Sequence, residues 1–380
     1  MVEYLSGERI QGSTALVSSP PQTEFVELDR VKLSDAGDTF DITGLTTTDY
    51  PRLMIIGHYL GNGQEISPDL QFNGSSGTGK YPIRRSNDGA ADDVTASPST
   101  LNYSYLYTGM GGQNSDRLIV YNILNINGQE KLIFQDQVIN VNRSNAGTAP
   151  TRNELFGKWI GGNNSNDNPT INRVRISGDY TSQTGDFEAD SEVIVLGAKS
   201  SGTNSGNNFW QELKNKSDTS NHTTFDSGAF ADKRYLMFEF RTVSNNTNSA
   251  IGQFKCNSDS GSSFYSRRWT QYQSNATNSS GTATTDATID WLTDSLGGSQ
   301  NNAVQYVTGY IANLSGQEKL MLIHSANSRG GVGAGNGTYR KVTAGKYVPS
   351  SLSTGITSLQ FGDPNGSGWS QSQLRVWGAN

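Results

Sequence analysis

The sequence is short of almost everything that would point quickly to a chemistry. A single cysteine, Cys256, leaves no partner for an internal disulfide. The three histidines, His58, His222 and His324, stand far apart, so there is no short-spaced metal-ligand pair and no Cys/His nucleophile arrangement. No apolar run approaches the length that crosses a bilayer, and residues 1–9 lack the basic-then-apolar order of a secretory leader. The expectation is a soluble protein made in a cytoplasm and not inserted into a membrane. Positive charge is neither in excess nor clustered: 29 Lys+Arg face 35 Asp+Glu, and the longest basic runs are the doublets Arg84-Arg85 and Arg267-Arg268. Binding a phosphate backbone needs a concentrated positive face, so nucleic acid is not an expected partner. Helical periodicity is nearly missing, and Trp210–Lys216 is the one stretch that suggests a turn or two of helix.

What is abundant is small and polar. Glycine occupies 43 of 380 positions and apolar residues only 33%, with Ser, Asn and Thr filling much of the rest. Disorder would bring high net charge and few aromatics; here the formal charge is −6 and Tyr, Phe and Trp are spread throughout. Short apolar runs sit between clusters of turn-forming residues, which is the pattern of strands and turns. In the first half they are Leu53–Ile56, Leu118–Ile126, Leu132–Ile139, Val174–Ile176 and Val193–Leu196; in the second, Tyr235–Phe240, Val304–Ile311, Leu320–Ile323, Thr357–Phe361 and Leu374–Trp377. Along Val304, Tyr306, Thr308 and Tyr310 the larger residues fall at every second position, as on a half-buried strand.

The two sets are copies. Asn127-Gly128-Gln129-Glu130-Lys131-Leu132 returns as Ser315-Gly316-Gln317-Glu318-Lys319-Leu320. Arg152 returns as Arg340, Gly157-Lys158-Trp159 as Gly345-Lys346-Tyr347, and Asn73, Gly77 and Tyr81 as Asn257, Gly261 and Tyr265. Matches in one order over the whole length indicate tandem duplication of one fold of ordinary domain size. The expected architecture is all-β: an extended N-terminal arm (1–24), a first antiparallel β-sandwich of jelly-roll type (25–199), a small polar linker (200–208) and a second, homologous sandwich (209–380).

Several stretches imitate functional motifs. Gly74–Lys80 has the spacing of a phosphate-binding loop, but Tyr81 and Pro82 follow where a metal-binding hydroxyl and a helix should be; a polar turn is the better reading. Gly330–Gly337 lacks the lysine as well. Glu188, Asp190 and Glu192 alternate and could share a strand face as calcium ligands or paired acids, yet the second half has no equivalent, which favours a solvated face. Asn-X-Ser/Thr triplets, such as those at Asn102, Asn142, Asn221, Asn275 and Asn313, read as chance in a chain so rich in Asn, Ser and Thr. No catalytic residue, cofactor site or metal site is therefore expected. The remaining binding candidates are Tyr81, Arg84 and Arg85 with their counterparts Tyr265, Arg267, Arg268 and Trp269, which either present rings and guanidinium groups to a surface glycan or brace a long loop.

Four segments carry a resemblance: Phe72–Tyr81, the turn Gln129–Leu132, Ala149-Pro150-Thr151-Arg152 leading into Gly157-Lys158-Trp159, and the closing Ser191–Gly197. With them the chain resembles the tandem jelly-roll-like β-sandwich virion structural proteins of tailed bacteriophages, marine ones in particular. The second half departs by keeping only Arg340 of the Ala-Pro-Thr-Arg run. The resemblance implies a non-enzymatic protein in the virion, exposed as a decoration, fibre or spike component. Implied partners are other capsid or tail proteins, further copies of the chain in a homo-oligomer such as a trimer, and host surface glycan. A carbohydrate- or receptor-binding tail adhesin, a double jelly-roll major capsid protein and a glycan hydrolase are the alternatives.

Overall fold

The computed structural model describes residues 25–380 apart from 62–67, 76–80, 82, 88–92, 96–105, 108–115, 141–145, 162–167, 179–186, 200–207, 245–251, 262, 273–278, 293–302, 329–337, 364–365 and 367. The expected arm and most of the expected linker, with the Gly-rich runs at 76–80 and 330–337, thus lie outside the described residues. Every regular element is a strand. The first half holds β1 (Val26–Lys32), β2 (Thr39–Thr43), β3 (Arg52–Tyr59), β4 (Asp69–Phe72), β5 (Ile83–Asn87), β6 (Asp93–Thr95), β7 (Leu106–Tyr107), β8 (Asp116–Leu124), β9 (Lys131–Asn140), β10 (Thr151–Trp159), β11 (Arg173–Ser177) and β12 (Glu192–Ala198). The second holds β13 (Gln211–Asp218), β14 (Thr224–Asp226), β15 (Tyr235–Ser244), β16 (Gly252–Cys256), β17 (Tyr265–Tyr272), β18 (Ser279–Asp286), β19 (Ile289–Leu292), β20 (Val304–Ala312), β21 (Lys319–Ser328), β22 (Thr338–Tyr347), β23 (Leu359–Gly362) and β24 (Trp369–Ala379).

In each half an eight-stranded sheet faces a four-stranded one. The order β1-β12-β3-β8-β9-β10-β5-β6 over β2-β11-β4-β7 is repeated, strand for strand, as β13-β24-β15-β20-β21-β22-β17-β18 over β14-β23-β16-β19. Among the described residues, neighbouring strands pair antiparallel. Each sandwich encloses its own core, Phe40, Tyr59, Phe72, Tyr121 and Trp159 among others in the first and Phe238, Phe240, Phe361, Trp369 and Tyr347 in the second.

A third core lies between the halves. Met54, Ile56, Leu118, Val120, Ile194 and Leu196, on the outer face of the first large sheet, pack with Met237, Leu320, Leu322, Ala344 and Trp377 of the second. The two large sheets therefore sit back to back, and their middle strands are covered on both faces. That explains why Leu53–Ile56 and Val193–Leu196 are unbroken apolar runs: a sheet buried on both sides needs apolar residues at consecutive positions.

Two expectations change here. Trp210–Lys216 is not helical: Gln211–Asp218 is edge strand β13, paired with β24 through a bulge between Glu212 and Lys214. Its polar, charged residues suit an unpaired edge, where charge discourages pairing with another chain. The alternation in β20 is real, but Val307, Gly309 and Ile311 face the sandwich core, while Val304, Tyr306, Thr308 and Tyr310 lie on the outer face.

Candidate functional site

Tyr81 and Tyr265 are not on the surface; both are fully buried. The Tyr81 hydroxyl accepts from the Phe72 N–H at 2.8 Å, and Tyr265 accepts from the Cys256 N–H at 2.8 Å, so each ring pins the turn that precedes its strand. The neighbouring asparagines explain why the segment recurs. Asn73 and Asn257 adopt φ of 52° and 54°, a region Asn tolerates, and each side-chain oxygen accepts two backbone N–H groups, from Asn172 and Arg173 or from Thr357 and Ser358. The segment is a structural clamp.

The arginine doublets are not equivalent either. Gly157 pairs with Ile83, whereas the corresponding Gly345 pairs with Arg267. Arg267 thus stands where the first half has Ile83, Arg268 matches Arg84, and Trp269 matches Arg85. A slip of one residue exchanges faces. Arg267 is buried with Asp286 at 2.5 Å and Asp290 at 2.6 Å; Trp269 is half-buried, with the Arg267 guanidinium 5.4 Å and the Lys341 ammonium 5.2 Å from its ring. Burial pushes Lys341 down to about 7, although Asp290 opposes the shift. Arg268 reaches across to the Pro150 carbonyl at 3.2 Å. The side chains of Arg84 and Arg85 lie outside the described residues.

Glu188, Asp190 and Glu192 do not form one solvated strand face. Asp190 is a turn residue at φ 71°, and Glu192 is buried at the seam between the halves, accepting from the Tyr235 hydroxyl at 2.5 Å and from Arg234 at 3.1 Å. Asn313 is buried too: its amide donates to the Lys233 carbonyl and its oxygen accepts from the Ile356 N–H.

The densest collection of ionisable groups lies on that seam, and sequence reading missed it because its members come from four strands of two halves. Asp136 on β9 meets His324 on β21 at 3.4 Å. Glu154 on β10 accepts from Arg152 at 2.7 Å and from Arg340 on β22 at 2.5 Å, and Arg152 continues to the Thr270 hydroxyl on β17 at 2.9 Å. Burial alone would lower His324, but the Asp136 carboxylate holds the imidazole above its ordinary value; in return, and against burial, His324 holds Asp136 below the usual carboxylate range. Farther along, Asn140 of the first half donates to Glu318 at 2.6 Å, and Lys346 binds both at 3.0 Å.

One ligand atom each from Asp136, Glu154 and His324 lie within 4.8 Å of one another, a donor set that suits a divalent cation in principle. Both oxygens of Glu154 are engaged by guanidinium groups, so an ion would sit against two fixed positive charges. The cluster fits an internal ion-pair network better than a metal centre. The repeated Arg152/Arg340 pair is the one signal in the sequence that could have led toward it.

Comparison with known proteins assigns no family. No protein-family model and no curated protein matches the chain. Among solved structures, the LG1-3 region of the laminin alpha2 chain is similar at 8% identity with a TM-score of 0.20, covering 91% of this chain and 64% of that one. Domains LG4-5 of the mouse laminin alpha1 chain give 7% identity and a TM-score of 0.18, covering 98% and 95%. A Pseudomonas aeruginosa FadL homologue gives 8% and 0.09. Likeness at this level carries no functional argument. The class defined by the coordinates is an all-β protein of stacked antiparallel sandwiches.

Proposed function

We propose that the chain is a non-enzymatic structural protein of a tailed-phage virion, made in the host cytoplasm and displayed on the particle as a decoration, fibre or spike component in contact with other virion proteins. The observation that carries this reading is the seam: two sandwiches are joined over their broadest faces by an apolar core flanked by buried ion pairs. Such an arrangement makes one four-layered body in which buried ion pairs fix how the halves sit against each other, which serves a shell or spike component better than a cleft for turnover. Mass spectrometry and electron microscopy of purified particles test it; a chain expressed during infection but missing from the virion ends the reading.

A second reading, a glycan-binding tail adhesin, is favoured by one feature only. Trp269 on β17 retains partial exposure, with the Arg267 and Lys341 cations beside its ring. Glycan-array binding lost on Trp269→Ala supports it, and binding to no host surface removes it.

A further inference from the structure

Exposed large apolar residues are not scattered over this protein. Among the described residues, five of the seven gather at one place on the first large sheet, Leu124, Leu132, Phe134 and Phe156 with Ile126 in the adjoining turn; the other two, Val304 and Tyr306, lie on β20 of the second. The register explains the clustering. Leu124 is opposite Leu132, and Phe134 is opposite Phe156. Successive side chains alternate faces, so Phe134 shares the outer face with Asp136 and Val138, the residues that meet the second half. The apolar strip is thus the continuation of the seam beyond the point where the other sheet covers it.

Phe134 and Phe156 form a ridge there. They are 45% and 47% exposed, and their rings meet edge to face with centroids 5.5 Å apart. Immediately beside the ridge is a cleft of about 290 Å³, lined by Phe25, Met54, Leu124 and Phe134 of the first half and by Tyr310 of the second. Each of the two rings leaves about 90 Å² open to water, so the strip as a whole reaches the few hundred Å² that a monomer seldom exposes without use.

We propose that this strip is a homodimer interface, closed by a second copy of the chain in an isologous, two-fold arrangement. Two observations select a second copy. An isologous contact requires one face to carry both a projection and a matching hollow, because residue i must meet residue j while j meets i; the Phe134/Phe156 ridge and the adjoining cleft are such a pair. The strip is also continuous with an interface this protein already makes, in which the same kind of sheet face is buried against its counterpart in the other half of the chain. The ridge of one copy would seat in the cleft of the other, extending the stacked sheets across the two-fold axis. The inference does not rest on the virion reading: the surface is the same whatever the protein's setting.

Sedimentation velocity on the full chain over a range of concentrations is the test, with a Phe134→Ser/Phe156→Ser variant alongside. The expected result is a reversible dimer whose dissociation constant rises at least about 100-fold in the variant, with circular dichroism and melting temperature held, since truncating two central aromatic anchors costs that much. A parent chain that stays monomeric throughout overturns the proposal, as does an oligomer the variant leaves intact. A Phe134→Cys variant separates the remaining case. If it is monomeric yet reacts with a thiol reagent as slowly as the buried Cys256, the chain's own residues 1–24 cover the strip, and the proposal is overturned. If the dimer is genuine, labelling is fast in dilute solution and suppressed on concentration.

Discussion

Among single residues, Lys131 and Lys319 show most clearly why a segment is repeated. Each is fully buried, and its ammonium spans the hairpin that precedes it. Lys131 donates to the Ile126, Gln129 and Asn168 carbonyls at 2.5, 2.6 and 3.3 Å, and Lys319 donates to those of Leu314, Gln317 and Leu352. Replacing Lys131 by Met leaves three carbonyls without their donor, and a loss of about 3 kcal/mol is expected in urea melts. Burial pushes both lysines down to about 8, so the unfolded chain holds those protons to higher pH than the folded one. Stability should therefore rise between pH 8 and 10, by less in Lys131→Met. His324 and Asp136 work in the opposite ranges. The raised imidazole contributes stability that is complete below its ordinary 6.5 and fades as pH climbs through the folded value; the lowered carboxylate contributes above 3.8 and fades as pH drops through its own. Their pair is at full strength between those limits, and His324→Gln should flatten the decline in stability expected just above pH 6.5. A pH-stability profile unchanged by that substitution would show that the contact carries no free energy.

Strands and turns were legible to different degrees. Each of the ten apolar runs overlaps a strand, although Leu118–Ile126 runs two residues past β8 and Thr357–Phe361 begins two before β23, because alternating or continuous apolar patterns between turn residues are a local property. Among the strands that escaped notice are polar ones, such as β13, β17 and β18, whose place in a sheet is set by a neighbour more than by their own residues, and short ones such as β4 and β19. The hairpin turns carry a local requirement that was visible: Gly128 and Gly316 have φ of 74° and 79°. A Cβ built on Gly316 meets nothing within 4 Å, so only the backbone opposes a side chain there. Gly316→Ala should cost about 1 kcal/mol in a thermal melt and Gly316→Asn less, since Asn enters the left-handed region more readily. Equal costs for the two would point to a contact rather than to the dihedral angle.

For the molecule as a whole, the seam decides behaviour. Trp377 is fully buried within it, and Trp377→Ala should cost about 3–5 kcal/mol. Because the halves share this core, calorimetry on the variant should still show one transition at a lower temperature; two resolved transitions would mean that each sandwich stands alone. Of the candidate site, almost nothing could be read in advance. Asp136, Glu154, His324 and Arg340 are distant in the chain, and of them only Arg340, the repeat of Arg152, belongs to a recurring segment. The doublet Arg267-Arg268 drew attention for its charge, yet a one-residue slip in register put Arg267 inside, where Asp286 and Asp290 neutralise it. By itself the sequence determined the strand class, the two-fold repetition and the turns, because backbone preference and apolar spacing act over a few residues. Only the tertiary structure decided that the middle strands of each large sheet are kept from water on both faces. Both faces of a strand like Leu53–Ile56 are apolar, and what covers the second one is another sheet nearly two hundred residues away, brought there by the free energy of burying both.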